Sequence, residues 1–132
     1  MLMHIEHLAI WTYHLEELRR FYTEFLGATS SLQYHNPVKS FKSYFLSFDS
    51  GCRLEIMEMP GIADHNNDGL TQATGLTHFA IDLGSRGEVD RLTAMLRAKG
   101  TRVVGEPRIT GDGYYESVVL DPDGNRIELL SH

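Results

Sequence analysis

Along this 132-residue chain, stretches of alternating apolar and polar residues and stretches with apolar positions three and four apart succeed one another in the same order twice. Residues 4 to 10 alternate as a short strand; Leu15, Leu18, Tyr22 and Phe25 then mark one buried stripe, which predicts a helix over 14–26 that Gly27 can end. Strand patterns follow at about 29–35, 41–48 and 52–59, divided by the turn chemistry of Asn36-Pro37 and Asp49-Ser50-Gly51. Residues 60–75, with Pro60-Gly61 and the polar run Asp64 to Gly69, offer little to build a core and read as a linker. The order then repeats as a strand over 76–83, a helix over 86–99 and strands near 101–105, 114–120 and 125–131. Ser85 and Glu88 have the spacing of a capping box, Val89, Leu92 and Leu96 share one helix face, and Gly100 can close the helix.

The two halves also share residues. Gly51-Cys52-Arg53-Leu54-Glu55-Ile56 returns as Gly124-Asn125-Arg126-Ile127-Glu128-Leu129, and His7-Leu8-Ala9-Ile10 returns as His78-Phe79-Ala80-Ile81. His78 follows His7 by 71 positions, whereas Gly100 and Glu128 follow Gly27 and Glu55 by 73, so two residues are gained in the helical region. Ordinary amphipathic strands would explain the apolar matches but not the paired charged ones. The expected fold is α+β, with two tandem β-α-β-β-β modules (1–59 and 76–132, linker 60–75) in one domain over 1–132.

Composition narrows the partners. A net charge of −6 without a basic stripe removes the driving term for binding nucleic acid, and no apolar run nears the roughly 20 residues of a membrane span. Cys52 is the single cysteine, so no internal disulfide forms and a reducing compartment is expected; a small packed side chain is the leading reading of it. The first residues run into a strand pattern without a basic leader, which makes the cytoplasm the expected location.

Strand parity selects the chemistry. Leu8 and Ile10 face opposite to His7, as Phe79 and Ile81 face opposite to His78; Leu54/Ile56 and Ile127/Leu129 likewise leave Glu55 and Glu128 pointing away from the greasy face. Singly, such a histidine or glutamate is usually structural or solvated. One of each per half, on the same predicted face, points to a metal ligand set of His7, Glu55, His78 and Glu128. Two imidazoles and two carboxylates neutralise one divalent ion and suit Zn, Ni, Co, Mn or Fe. Four protein ligands leave open positions for a small-molecule substrate.

With these residues in view, the chain resembles the vicinal oxygen chelate superfamily of glyoxalases, bleomycin-resistance proteins and extradiol dioxygenases. The likeness covers essentially the whole chain and is most specific at His7 to Ile10, Phe21 to Gly27, Thr77 to Asp82 and Asp121 to Leu129. It implies a curved, partly closed sheet around the metal. The His, Glu, His, Glu order is closest to glyoxalase I-like members, and carrying it over gives His7, Glu55, His78 and Glu128 as ligands. It implies a lyase or isomerase acting on a substrate with vicinal oxygens through a metal-stabilised enediolate, with Glu128 as first choice of base and Glu55 as second.

Glutathione-using glyoxalases place an arginine four residues after the first His and an asparagine four after the first Glu; here Trp11 and Met59 stand there. The resemblance therefore implies a more apolar pocket than a glutathione site. Trp11, Met57 and Met59 are candidate substrate walls, with core filling as the competing reading. Arg53 and Arg126 share the face of the glutamates and are candidates to grip an anionic group, with a rim salt bridge as the alternative. Tyr115 is a candidate pocket hydroxyl. The alternatives to the lyase are an Fe(II)-dependent dioxygenase, against which the extra Glu55 argues, and a non-catalytic drug- or metabolite-binding protein, which would lack the ligand set. Uncovered sheet edges lead us to expect a homodimer.

Overall fold

The structure is a computed structural model that describes residues 1–65 and 68–132; Asn66 and Asn67, in the expected linker, lie outside the described residues. It is mixed α+β with two sheets, and the chain divides into two compact units, Met1–His65 and Asn66–His132. The division falls inside the segment read as a linker.

In the first unit, β1 (His7–Trp11) leads to α1 (Leu15–Arg20), which passes into a π-helical turn over Phe21–Phe25. β2 (Thr29–Ser30), β3 (Tyr34–Asn36), β4 (Phe41–Ser47) and β5 (Arg53–Glu58) complete it. β1 runs parallel to β5, β5 antiparallel to β4, and both β2 and β3 pair with β4. The stretch expected as one strand over 29–35 is thus two short ones, and Ser31 between them turns its hydroxyl to the Phe45 amide. Phe21 and Tyr22 of this wider turn are buried, as are Leu15 and Leu18 of α1, which packs on β4 and β5, where Tyr44, Leu46, Leu54 and Ile56 are buried.

The second unit repeats the order with β6 (His78–Asp82), α2 (Arg86–Ala98), β7 (Val103–Ile109), β8 (Tyr115–Leu120) and β9 (Arg126–Ser131), in the sheet order β6-β9-β8-β7. Ser85 caps α2 by accepting from the Glu88 amide. Val89, Leu92 and Leu96 are buried beside Val119, Ile127 and Leu129. Inside this apolar layer the buried Thr93 and Ser117 hydroxyls meet at 2.7 Å, and Thr93 also donates to the Val89 carbonyl. β7 is longer than expected and carries register shifts, with Gly105 packed under Val118.

The turn before each unit's last strand explains the repeated glycine. Gly51 and Gly124 have φ of +84° and +85°, which side chains rarely adopt. Before Gly124 the buried Asp121 accepts from the Asp123 and Asn125 amides and the Asn125 side chain, so the run Asp121 to Asn125 builds the turn.

Gly69 and Gly87 make opposite predictions. A Cβ at Gly69 would lie 2.7 Å from Leu120 and 2.8 Å from the Gly124 carbonyl at a φ of +76°, so Gly69→Ala is expected to cost about 2 kcal/mol or more. Gly87 sits in the first turn of α2, where an added Cβ would meet only the Ser85 hydroxyl at an ordinary contact distance of 4.0 Å, and Gly87→Ala should stabilise by roughly 0.4–1 kcal/mol. Urea unfolding of both variants checks the pair; equal stabilities would contradict the packing described.

Candidate metal centre

The parallel pairing of first and last strand in each unit sets the geometry. His7 lies level with Arg53 and Ala9 with Glu55, as His78 lies level with Arg126 and Ala80 with Glu128. Each histidine and glutamate are therefore diagonal neighbours on the sheet face away from the helix, and the alanine opposite each glutamate leaves room for its carboxylate. In the first unit His7 Nε2 stands 3.8 Å from Glu55 Oε1; in the second His78 Nε2 stands 3.0 Å from Glu128 Oε1. The glutamate side chains are largely covered, at 16% and 18% exposure, while the histidines remain about two-fifths open.

Around His7 the first unit adds further contacts. Glu6 Oε2 meets His7 Nδ1 at 2.5 Å, and the Arg53 guanidinium bonds the other Glu6 oxygen. Arg53 also lies over the Phe45 ring at 4.0 Å, and His7 meets the same ring edge-on at 5.3 Å. The His7 hydrogen bond, supported by Arg53, holds the Glu6 carboxyl below its ordinary range.

The second unit has a different environment. Glu116, two residues from Val118 on β8, shares a hydrogen bond with Glu128. Loss of water contact, followed by the Glu128 charge and that bond, pushes Glu116 above the ordinary carboxylate range, and Arg108, level with it on β7, opposes the shift. Arg126 does not turn to the glutamates; it donates to the Gly69 carbonyl at 2.8 Å.

The donors suit a divalent ion. Ligands about 2.1 Å from one ion stand about 3.0 Å apart when cis in an octahedron and about 3.4 Å apart in a tetrahedron. The His78–Glu128 spacing matches the first value, and the His7–Glu55 spacing needs less than 1 Å of closure. Among the described residues no three His, Cys, Asp or Glu side chains gather as one group, so each unit by itself offers two donors.

The remaining predicted residues divide. Trp11 and Met59 line a hollow of about 340 Å³ with Tyr34, Asn36, Lys39 and Phe41, and the Trp11 and Phe41 rings meet edge to face. Met57 is level with Trp11 on the His7 face. Arg53 is held by Glu6 and Phe45, as described. Tyr115, a candidate pocket hydroxyl from its sequence, lies on the helix side of β8, where its hydroxyl donates to Asp90 at 2.6 Å and Arg86 covers its ring. Strand alternation puts it on the Ser117 face, opposite Glu116. Sequence reasoning passed over Glu6 and Glu116 because neither has a counterpart in the other half; the parity of Glu116 with Val118 was the available signal.

Residues 4–129 match the family model for the Glyoxalase/Bleomycin resistance protein/Dioxygenase superfamily. A trypanothione-dependent glyoxalase I of Leishmania major is 26% identical, with a TM-score of 0.77 over 98% of this chain and 87% of that one. Glyoxalase I of Zea mays is 24% identical, with a TM-score of 0.80 over 98% of this chain and 44% of that one, a likeness of fold. Over 60 residues the chain is 40% identical to the uncharacterised YqjT of Bacillus subtilis (strain 168), covering 43% of this chain and 47% of that protein, so the match spans about half of that curated relative.

Glu116 predicts a pH dependence in the metal-free protein. Its folded value is raised, so its proton favours folding below the unfolded carboxylate range, and that contribution is lost as pH rises through the folded value. Glu116→Gln should therefore be more stable than the parent at pH 7, by no more than about 1 kcal/mol at this partly exposed site, and equal to it near pH 4. Urea melts in a chelator at both pH values test this; no gain at pH 7 would refute the crowding of the two carboxylates.

Proposed function

The chain belongs to the Glyoxalase/Bleomycin resistance protein/Dioxygenase superfamily, and on that premise we propose that it is a metal-dependent lyase or isomerase of the glyoxalase type, acting on a small substrate with two neighbouring oxygens. The observation that carries the reading is that each unit brings one imidazole Nε2 and one glutamate oxygen together on the sheet face free of its helix. His7, Glu55, His78 and Glu128 are the proposed ligands, drawn from one chain or from two copies. A bound divalent ion supplies Lewis-acid polarisation of the substrate oxygens.

The chain's own groups do the rest. Glu128 is the proposed base, taking a proton from the carbon beside the substrate carbonyl, with Glu55 as the second choice. Glu116 shares a hydrogen bond with Glu128 and so helps to hold that carboxylate in place. Trp11, Met57 and Met59 supply an apolar wall, and the Trp11–Phe41 hollow suits an apolar or aromatic substituent better than a glutathione chain. With Glu6 occupying its guanidinium, Arg53 acts in this reading on the ligand shell rather than on the substrate. A homodimer belongs to the same proposal, and sedimentation tests it.

Two measurements test the reading. The purified protein is expected to take up about one divalent ion per chain, with His7→Ala and His78→Ala each weakening uptake at least tenfold; a wild-type protein that takes up none would sink it. In a screen of small vicinal-oxygen substrates, Glu128→Gln is expected to abolish turnover while keeping part of the metal affinity. Full activity in that variant removes Glu128 as base, and oxygen consumption with obligatory Fe(II) would place the chain among dioxygenases instead.

A further inference from the structure

We propose that Glu6 is a positioning residue that fixes the tautomer of His7, holding the proton on Nδ1 and presenting the Nε2 lone pair towards Glu55. The inference rests on the metal-centre reading for its purpose, but its geometry stands by itself. Glu6 Oε2 lies 2.5 Å from His7 Nδ1, a distance at which a carboxylate accepts the ring N–H, while His7 Nε2 faces Glu55.

Glu6 is itself held in place. It precedes β1, so strand alternation does not force its side chain to the opposite face from His7. The Arg53 amide donates to the Glu6 carbonyl at 2.9 Å, and the Arg53 guanidinium takes the carboxylate oxygen that His7 leaves free. Arg53 in turn lies over Phe45, whose ring also meets His7 edge-on. Imidazole orientation is thus set from two sides, by a carboxylate and by an aromatic ring. Carboxylates that take the second N–H of a ligating histidine orient it and raise its basicity.

Among the described residues, the second unit has no copy of this arrangement. Thr77 stands where Glu6 does and turns its hydroxyl to the Gly75 carbonyl, Val118 replaces Phe45 across from the glutamate, and Arg126 goes to Gly69. The repeat that pairs the ligand candidates therefore does not pair their supports, and the two histidines should respond differently to the same kind of substitution.

The test compares wild type, Glu6→Ala and Glu6→Gln in two readouts. Imidazole ¹⁵N shifts of the metal-free protein at about pH 8.5, above the ordinary imidazole range, report the tautomer, with His7 assigned through His7→Gln. Wild type and Glu6→Gln, whose amide oxygen still accepts, are expected to carry the proton on Nδ1; Glu6→Ala is expected to lose that preference while His78 stays unchanged. In competition titrations with Zn²⁺ alone, Glu6→Ala should bind about tenfold more weakly or worse, with Glu6→Gln between it and wild type. A wild-type His7 protonated on Nε2, an unchanged tautomer in Glu6→Ala, or zinc affinity within twofold of wild type would each overturn the proposal. Should wild type bind no zinc, the metal reading fails, and the tautomer readout alone decides the role of Glu6.

Discussion

The parallel pairing of first and last strand within each unit is the constraint on which the rest depends. It sets His7 beside Arg53 and His78 beside Arg126, one step out of line with the glutamates, so histidine and glutamate become diagonal neighbours. A register slip of one residue would exchange the two faces of the strand, burying the glutamates under the helix and exposing Leu54, Ile56, Ile127 and Leu129. Those four residues are almost fully buried, so the helix-side core and the polar face enforce one register together. The chemistry of the open face is thereby anchored by the hydrophobic effect on the closed one.

Similar scaffolding in the two units supports different surroundings. His7 is flanked by Glu6, Arg53 and Phe45, a set that fixes ring orientation through charge and aromatic contact. Glu128 instead shares a hydrogen bond with Glu116, whose own carboxyl is pushed up by loss of water contact and by the Glu128 charge. The repeat of the strands is therefore not matched by a repeat of the polar groups around them.

Much of the architecture was legible from periodicity. Both helices, the order of strands and the orientation of Glu55 and Glu128 follow from which residues alternate and which recur at three and four, since these spacings decide what each element can bury. The break between Thr29–Ser30 and Tyr34–Asn36 was not legible, because it depends on how Ser31 bonds to Phe45 across the sheet. Nor was the π-helical turn at Phe21–Phe25, because the spacing of apolar residues marks a buried stripe without distinguishing the two helical pitches.

Within the candidate site, the repeat singled out His7, Glu55, His78 and Glu128, because paired charged residues are not required by core packing and so stand out against it. What each of their neighbours does was decided by tertiary structure. Arg53 and Arg126 are equivalent in the sequence, yet one binds a carboxylate beside the histidine and the other a backbone carbonyl at Gly69, since their partners lie 47 and 57 positions away along the chain. Tyr115 and Glu116 are adjacent, yet the pleat sends one to Asp90 on the helix and the other to Glu128 on the open face. Local spacing determines which face a side chain takes, and only the packing of distant segments determines what it meets there.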